Sequence, residues 1–439
     1  MGLINNDTFV VLEKREMDVK SLMKNRPYVT LIGAQAISSI GDWLSLVAIF
    51  TVVGLKWNAS PLEVSLLLLC LAVPMALLGP VAGIVADRFS RKSIMILSDV
   101  VRAGLILVLA VASSLWMVYA ALFAIGLFSA VFIPAKNGKL KEIVGEGDMK
   151  AAMSITSMVD SSTKILGPLL SGILVAAVGP QQVFLIDSAT FAVSAVLLLF
   201  LPNALKTEDA PESGKGSESF KQELAAGLSF IKSSRFMVIG LLLMGSSLLI
   251  LQLADTQLIV LIRELTDASP DLFGYLITGS GLGMFLAGFL LAKKTDYRPY
   301  PIMLLGVFGI GLSFGMMGIL AHYDLSYSVM WLPALGFTGG FSASLIFVPY
   351  QAAVQVATPV HMTGRVFGVI NSAMTTATIV GPLAGGLLAT AIGIVPTFII
   401  TSALLVLVSI GGYLTRSKVE RGKLHVSTSE RGTSEAAAG

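Results

Sequence analysis

The sequence predicts an all-α membrane protein, with twelve transmembrane helices in two pseudo-symmetric six-helix bundles. Three observations predict it. Of 439 residues, 55% are hydrophobic and only 13% charged, against about 25% charged in a soluble domain. Twelve apolar runs reach the roughly 20 residues needed to cross a bilayer. One phrase of the chain occurs twice, once in each half. The mean hydropathy of +0.83 agrees.

The elements follow in order. Residues 1–26 form a polar, cytoplasmic N-terminal segment. They hold no short apolar core followed by a small-residue cleavage site, so no cleaved leader is expected. Apolar runs at 27–55, 62–86, 93–113, 117–135, 152–178 and 182–202 make spans one to six, the bundle 27–202. Residues 203–235 are the long polar break, rich in Ser, Gly, Pro and charge. Phe220 to Phe230 has apolar residues at helical spacing, which predicts an amphipathic helix on the membrane surface. Runs at 236–261, 272–292, 301–321, 329–349, 366–392 and 395–415 make spans seven to twelve, the bundle 236–415. From Arg416 the tail 416–439 is polar and is expected to be disordered.

Basic residues set the orientation. With the N-terminus inside, 26 of the 30 Lys and Arg fall in inner segments. Only Lys56 and Arg263 fall outside, and Arg102 and Lys164 lie within spans. Cytoplasmic loops carry the excess of Lys and Arg, so both termini are expected in the cytoplasm of a multi-pass cell-membrane protein.

The repeat pairs "ILGPLLSGILVAAVG" from Ile165 with "IVGPLAGGLLATAIG" from Ile379, 214 residues later. Gly167, Pro168, Gly172 and Gly179 align with Gly381, Pro382, Gly386 and Gly393. Upstream, "FIPAK" from Phe132 parallels "FVPYQ" from Phe347. Spans four and five therefore correspond to ten and eleven. Parallel six-span repeats are an architecture of secondary transporters.

Other chemistry finds no support. Cys70 is the single cysteine and the three histidines are far apart, so no metal and no cofactor is expected. The "GSGLG" at Gly279 lies in an apolar span with no strand before it, so it reads as close helix packing and not a nucleotide loop. No Walker loop occurs, and the small net charge of +3 gives no case for nucleic acid. The expected partners are the bilayer, a small molecule and an ion, with the chain a monomer and not an enzyme.

Charge inside a span is costly, about 2.5–3.5 kcal/mol on insertion scales, and marks a candidate site. The spans contain Asp42, Asp99, Arg102, Asp160, Lys164, Asp187 and Asp255. Gln35, Ser38 and Asp42 form one stripe on span one; Gln252, Asp255 and Thr256 form another on span seven. Asp160 and Lys164, four apart on one helix face, are expected to pair, or Lys164 to reach Asp42. Asp99 and Arg102, at the inner start of span three, are expected to pair or to join contacts at the inner face, and Asp187, at the outer end of span six, to be structural.

The sequence "GIVADRFSRK", Gly83 to Lys92, resembles a signature of the major facilitator superfamily. Gly83, Asp87, Arg88, Arg91 and Lys92 match; Ser90 stands where glycine is expected. The Gly-Pro phrase of span five is similar to that of antiporters, without its upstream glycines. "ISSIGDWLSLVA", "FIPAKNGKLKEIV", "VFLIDSATF" and "GRVFGVINS" resemble the bacterial macrolide-efflux and siderophore-exporter branch.

The resemblance implies that spans one and seven face each other across a central cavity. Gln35, Ser38, Gln252, Thr256 and Asn371 become cavity candidates, and Asp42, Asp160, Lys164 and Asp255 proton-coupling candidates. Desolvation disfavours a charged carboxylate, so an acid there can exchange a proton. The resemblance also implies that Asp87 latches the halves against the start of span eleven, helped by Arg88, Arg91 and Lys92. Ala292 stands at the matching position of the second half, so no second latch is expected. Proton-coupled drug antiporters of the superfamily carry an arginine in span four, and "MVYAALFAIGLFSAVFIPA" has none. The reading is an exporter of amphipathic, drug-like molecules by proton antiport and alternating access. The alternatives are a dedicated siderophore or lysophospholipid exporter or flippase, an importer, or a non-transporting sensor.

Overall fold

The computed structural model describes residues 19–145, 148–203, 220–269, 271–293, 297–359 and 362–435. Among them it has twelve helices long and apolar enough to cross a membrane, and no strands. Spans one to six are Arg26–Lys56, Pro61–Arg88, Arg91–Ala110, Leu115–Ile143, Met149–Val178 and Pro180–Leu199. Spans seven to twelve are Arg235–Arg263, Leu272–Lys293, Pro299–His322, Ser328–Ala357, Thr363–Ile392 and a helix starting at Ile394. Each matches an apolar run of the sequence.

Local chemistry explains the helix starts. Asn25, Ser60, Ser90, Ser114 and Ser234 each accept a backbone N–H from the first turn of the helix that follows. Such caps satisfy donors that the helix itself leaves unpaired. Ser60 makes a full capping box with Glu63, and Pro61 opens the helix. The turns after spans five and eleven share one device. Gly179 has φ +81° and ψ 161°, and Gly393 has φ +93° and ψ 166°, a region essentially reserved for glycine. These are the last glycines of the two repeats, so a backbone requirement explains why both copies end alike.

The repeat is also a packing joint. A Cβ on Gly167 would strike Trp43 of span one, and one on Gly172 would lie 2.5 Å from the carbonyl of Gly274 on span eight. In the second copy, a Cβ on Gly381 would lie 2.5 Å from Gln252 of span seven. One on Gly386 would lie 3.0 Å from the carbonyl of Pro61 on span two. Each copy therefore seats its helix against its own bundle with one glycine and against the other bundle with the next. Spans five with eight, and two with eleven, carry much of the contact between halves. The "GSGLG" glycines pack likewise: Gly279 and Gly283 against span ten, Gly281 against Leu169 of span five.

The face bearing Arg26 and Arg88 is called the basic face below. On it, the linker helix Phe220–Ser233 lies against the start of span eleven, where a Cβ on Gly227 would meet the Arg365 carbonyl. Beyond the last span the chain continues as helix to Glu435, where the composition predicts disorder. Extending an existing helix avoids the cost of nucleating a new one.

Candidate transport cavity

A cavity of about 720 Å³ lies in the membrane part. Its wall comes from spans one to six, with Asn371 of span eleven the one contribution from the second half among the described residues. Trp43, Leu71, Met75, Ile125 and Phe132 give it an apolar surface. Towards the basic face it reaches Leu140 and Met153, and Met153 is 61% exposed.

The opposite face is closed by contacts between the bundles. Gln257 donates from Nε2 to Ser65 Oγ at 2.8 Å and to the Pro61 carbonyl at 3.2 Å. Arg263 donates to the Ala59 carbonyl at 2.8 Å. A Cβ on Gly54, in the π-helical turn Val52–Lys56 that ends span one, would collide with Ile259.

Gln35, Ser38 and Asp42, one stripe by their spacing, all line the cavity, as the resemblance implies. Asp42 is exposed to it and has no hydrogen-bond partner among the described residues. Asp99 and Arg102 form the expected pair, almost fully buried. Ser194 of span six donates to Asp99 at 2.6 Å. The Arg102 guanidinium lies between the rings of Phe132 and Phe191, 4.6 and 4.4 Å from their centroids. The Arg102 side chain reaches the cavity wall.

Asp187 departs most from expectation. It is fully buried, yet it sits behind span one at the cavity. It accepts from Ser45 Oγ and, at 3.2 Å, from Thr190 Oγ1. Gly41 makes room for it, since a Cβ there would collide with both Asp187 and Thr190. Asp187 lies two turns from the Pro180 end of span six.

Asp160 and Lys164 do not pair. Asp160 accepts from Gln35 Nε2 instead, which joins spans five and one. Lys164 is exposed and outside the cavity wall. The i,i+4 spacing allows a pair, but a nearby amide on another helix holds the carboxylate. Lys136 of span four lines the same cavity as Asp160. The sequence reading ended span four at residue 135; the helix runs through Pro134 to Ile143. Span four thus supplies a lysine where an arginine was missed.

The span-seven stripe does not face span one. Gln252 and Thr256 are buried, Thr256 bonds its own helix, and Gln252 packs on Gly381. Asp255 lines a separate pocket of about 80 Å³ among apolar residues of the second bundle. Helix phase explains this: Gln252 is seated on span eleven, while Asp255 turns towards spans eight to ten.

Among the described residues, the printed bonds of Arg91 and Lys92 lie within the first bundle. Arg91 donates to the Gly138 carbonyl at 3.2 Å and pairs with Glu142 at 2.9 Å at the end of span four. Lys92 Nζ donates to the carbonyls of Leu199 and Leu201 at 2.7 and 2.6 Å, closing the end of span six. Arg88 is exposed, and a Cβ on Gly83 would meet nothing within 4 Å. The Asp87 side chain lies outside the described residues.

A family profile described as "transmembrane secretion effector" matches residues 21–432. The chain belongs to this branch of the major facilitator superfamily. It is 37% identical over 418 residues to an uncharacterized transporter of the superfamily, YfiS of Bacillus subtilis (strain 168), covering 94% of this chain and 99% of that one. Macrolide efflux protein A of Streptococcus pyogenes is 24% identical, with 87% and 94% covered. The enterobactin exporter EntS of Shigella flexneri is 27% identical, with 70% and 72% covered. Among solved structures, the nucleoside transporter NupG aligns at TM-score 0.63 and 13% identity, over 88% of this chain and 98% of that one. An inward-facing bacterial homologue of the lysosomal transporter Spinster aligns at 0.62 and 15%, over 91% and 98%. The twelve-span transporter fold is thereby shown for this family member, with efflux proteins among its relatives.

Proposed function

We propose that this superfamily member exports amphipathic, drug-like small molecules across the cytoplasmic membrane by proton antiport and alternating access. The carrying observation is Asp42. It faces an apolar-walled cavity with no hydrogen-bond partner among the described residues. Such a carboxylate can bind a proton or a cationic head group, and the two compete for one charge.

The rest of the wall suits loose recognition. Ligand sites combine an apolar surface with a few placed polar groups. Gln35 Oε1 and Arg102 Nε are buried without a protein partner, so each has bonding capacity for water or ligand. Met75 and Met153 add adaptable apolar contact. The sequence relation to macrolide and multidrug efflux proteins supports the export direction. With the basic face in the cytoplasm, both termini lie inside and the cavity loads from the cytoplasm.

The test is efflux of ethidium, a cationic dye, and of a macrolide panel from cells expressing the protein, with and without a protonophore. Protonophore-sensitive efflux is expected, and Asp42→Asn should abolish the sensitivity. Wild-type-like driven efflux in Asp42→Asn removes Asp42 from the coupling step. Absence of driven efflux for every compound removes the export reading.

A further inference from the structure

We propose that Asp187 of span six is a second proton-exchanging carboxyl of the transport cycle, paired with Asp42 across Gly41; this rests on the antiport reading above. Three observations carry it. First, Asp187 is fully buried but borders the cavity, against the turn of span one that carries Gly41 and Asp42. Second, Gly41 leaves space that the Asp187 carboxylate fills, so the acid of a peripheral helix reaches the transport path. Third, its direct partners are the hydroxyls of Ser45 and Thr190.

The third point distinguishes Asp187 from Asp99. Hydroxyls both donate and accept. By rotation they serve a carboxylate and a carboxylic acid equally well, so the site accommodates either form in place. Asp99 is instead held by the Arg102 guanidinium, which has no acceptor to offer an acid proton. The charged groups around Asp187 are Asp42 on span one and Arg102, with its partner Asp99, on span three. Span five brings no charged group to it among the described residues.

The step is a proton transfer. An O–H bond on Asp42 breaks as one on Asp187 forms, and the negative charge moves to the cavity wall. There it is free to meet a cationic substrate, while the proton waits behind span one. Because the proton then lies at the span one–span six contact, loading changes the charge buried between two helices of the moving bundle.

The test is pH-difference infrared spectroscopy of the full chain in lipid, read at the carboxylic-acid carbonyl band. Wild type should show titrating bands. Asp187→Asn should lose one of them, and Asp42→Asn should shift the midpoint of the band that remains. Identical titrating bands in wild type and folded Asp187→Asn overturn the proposal. If Asp187→Asn does not melt cooperatively, Ser45→Ala is measured instead: a moved midpoint supports the proposal and an unmoved one overturns it. Ethidium efflux separates the two readings. A wild type with the Asp187 band but no driven efflux defeats the export reading alone. Driven efflux with no Asp187 band defeats this proposal alone.

Discussion

Gln35 of span one donates from Nε2 to the Asp160 carboxylate of span five, closing the cavity wall between two helices of the first bundle. The bond joins two residues of the cavity wall. Gln35→Ala removes a hydrogen bond whose net contribution is about 1 kcal/mol. Gln35→Glu sets two acids face to face and should cost more. Melting of the purified protein in one detergent checks the order, wild type above Gln35→Ala above Gln35→Glu.

Two glycines of span one should respond oppositely. Gly41→Ala forces a Cβ into Asp187 and Thr190, and overpacking of this kind costs about 1–3 kcal/mol. Gly33 has nothing within 4 Å of an added Cβ. Gly33→Ala should be neutral or raise stability by up to about 1 kcal/mol, the helix-propensity gain. The same melting assay reads both, and equal loss in the two variants contradicts the Asp187 placement.

Arg102 sits in a buried pair. Arg102→Ala leaves Asp99 without its cation, and breaking such a pair costs about 3–5 kcal/mol. Removing both charges, in Asp99→Asn with Arg102→Met, should recover a large part of that loss. A double-mutant cycle on stability measures the recovery. Additive losses show that the two do not act as a pair.

Contacts on the face opposite the basic one hold that side shut. Arg263→Ala removes the bond to the Ala59 carbonyl, and Gln257→Ala the tie to Ser65. Both should shift the population towards the state open on that face. In a Cys70→Ala background, the thiol of Ala59→Cys, at a buried position whose backbone carbonyl alone meets Arg263, should label faster in either variant. Unchanged labelling means that these bonds do not hold the gate.

Asp267 lies in the loop between spans seven and eight. Its carboxylate accepts the Ser328 backbone N–H at 2.9 Å, at the start of span ten. The hydrogen bonds from Ser328 hold the carboxyl below its ordinary 3.8. A depressed folded value contributes stability above the unfolded value, and the contribution is lost as pH falls through the folded one. Melting temperature should therefore fall on acidification below about pH 4, and Asp267→Asn should flatten that limb. The side chain is exposed, so the effect is small.

Much was legible in the sequence because membrane helices are fixed locally. Apolar runs such as 272–292 must satisfy their own backbone groups, and only a helix does so within one segment. The repeat at Ile165 and Ile379 was readable for a similar reason. Its glycines answer backbone requirements, a left-handed turn at Gly179 and Gly393 and close helix contact at Gly167 and Gly381. The Gln35–Ser38–Asp42 stripe was readable as a helix face.

Which face met which neighbour was decided by the tertiary structure. Asp160 chose Gln35 over Lys164, the Gln252 stripe turned to span eleven, and Lys136 entered the cavity because span four continues past Pro134. Asp187 depends on a gap at Gly41 that no spacing within span six could reveal. The sequence by itself determined the twelve spans, their two-fold repeat and which charges lie in the membrane, because hydrogen bonding and transfer from water act on each segment alone. Only the packed structure decided the partners of those charges, because pairing depends on helix rotation and on the space that small residues leave.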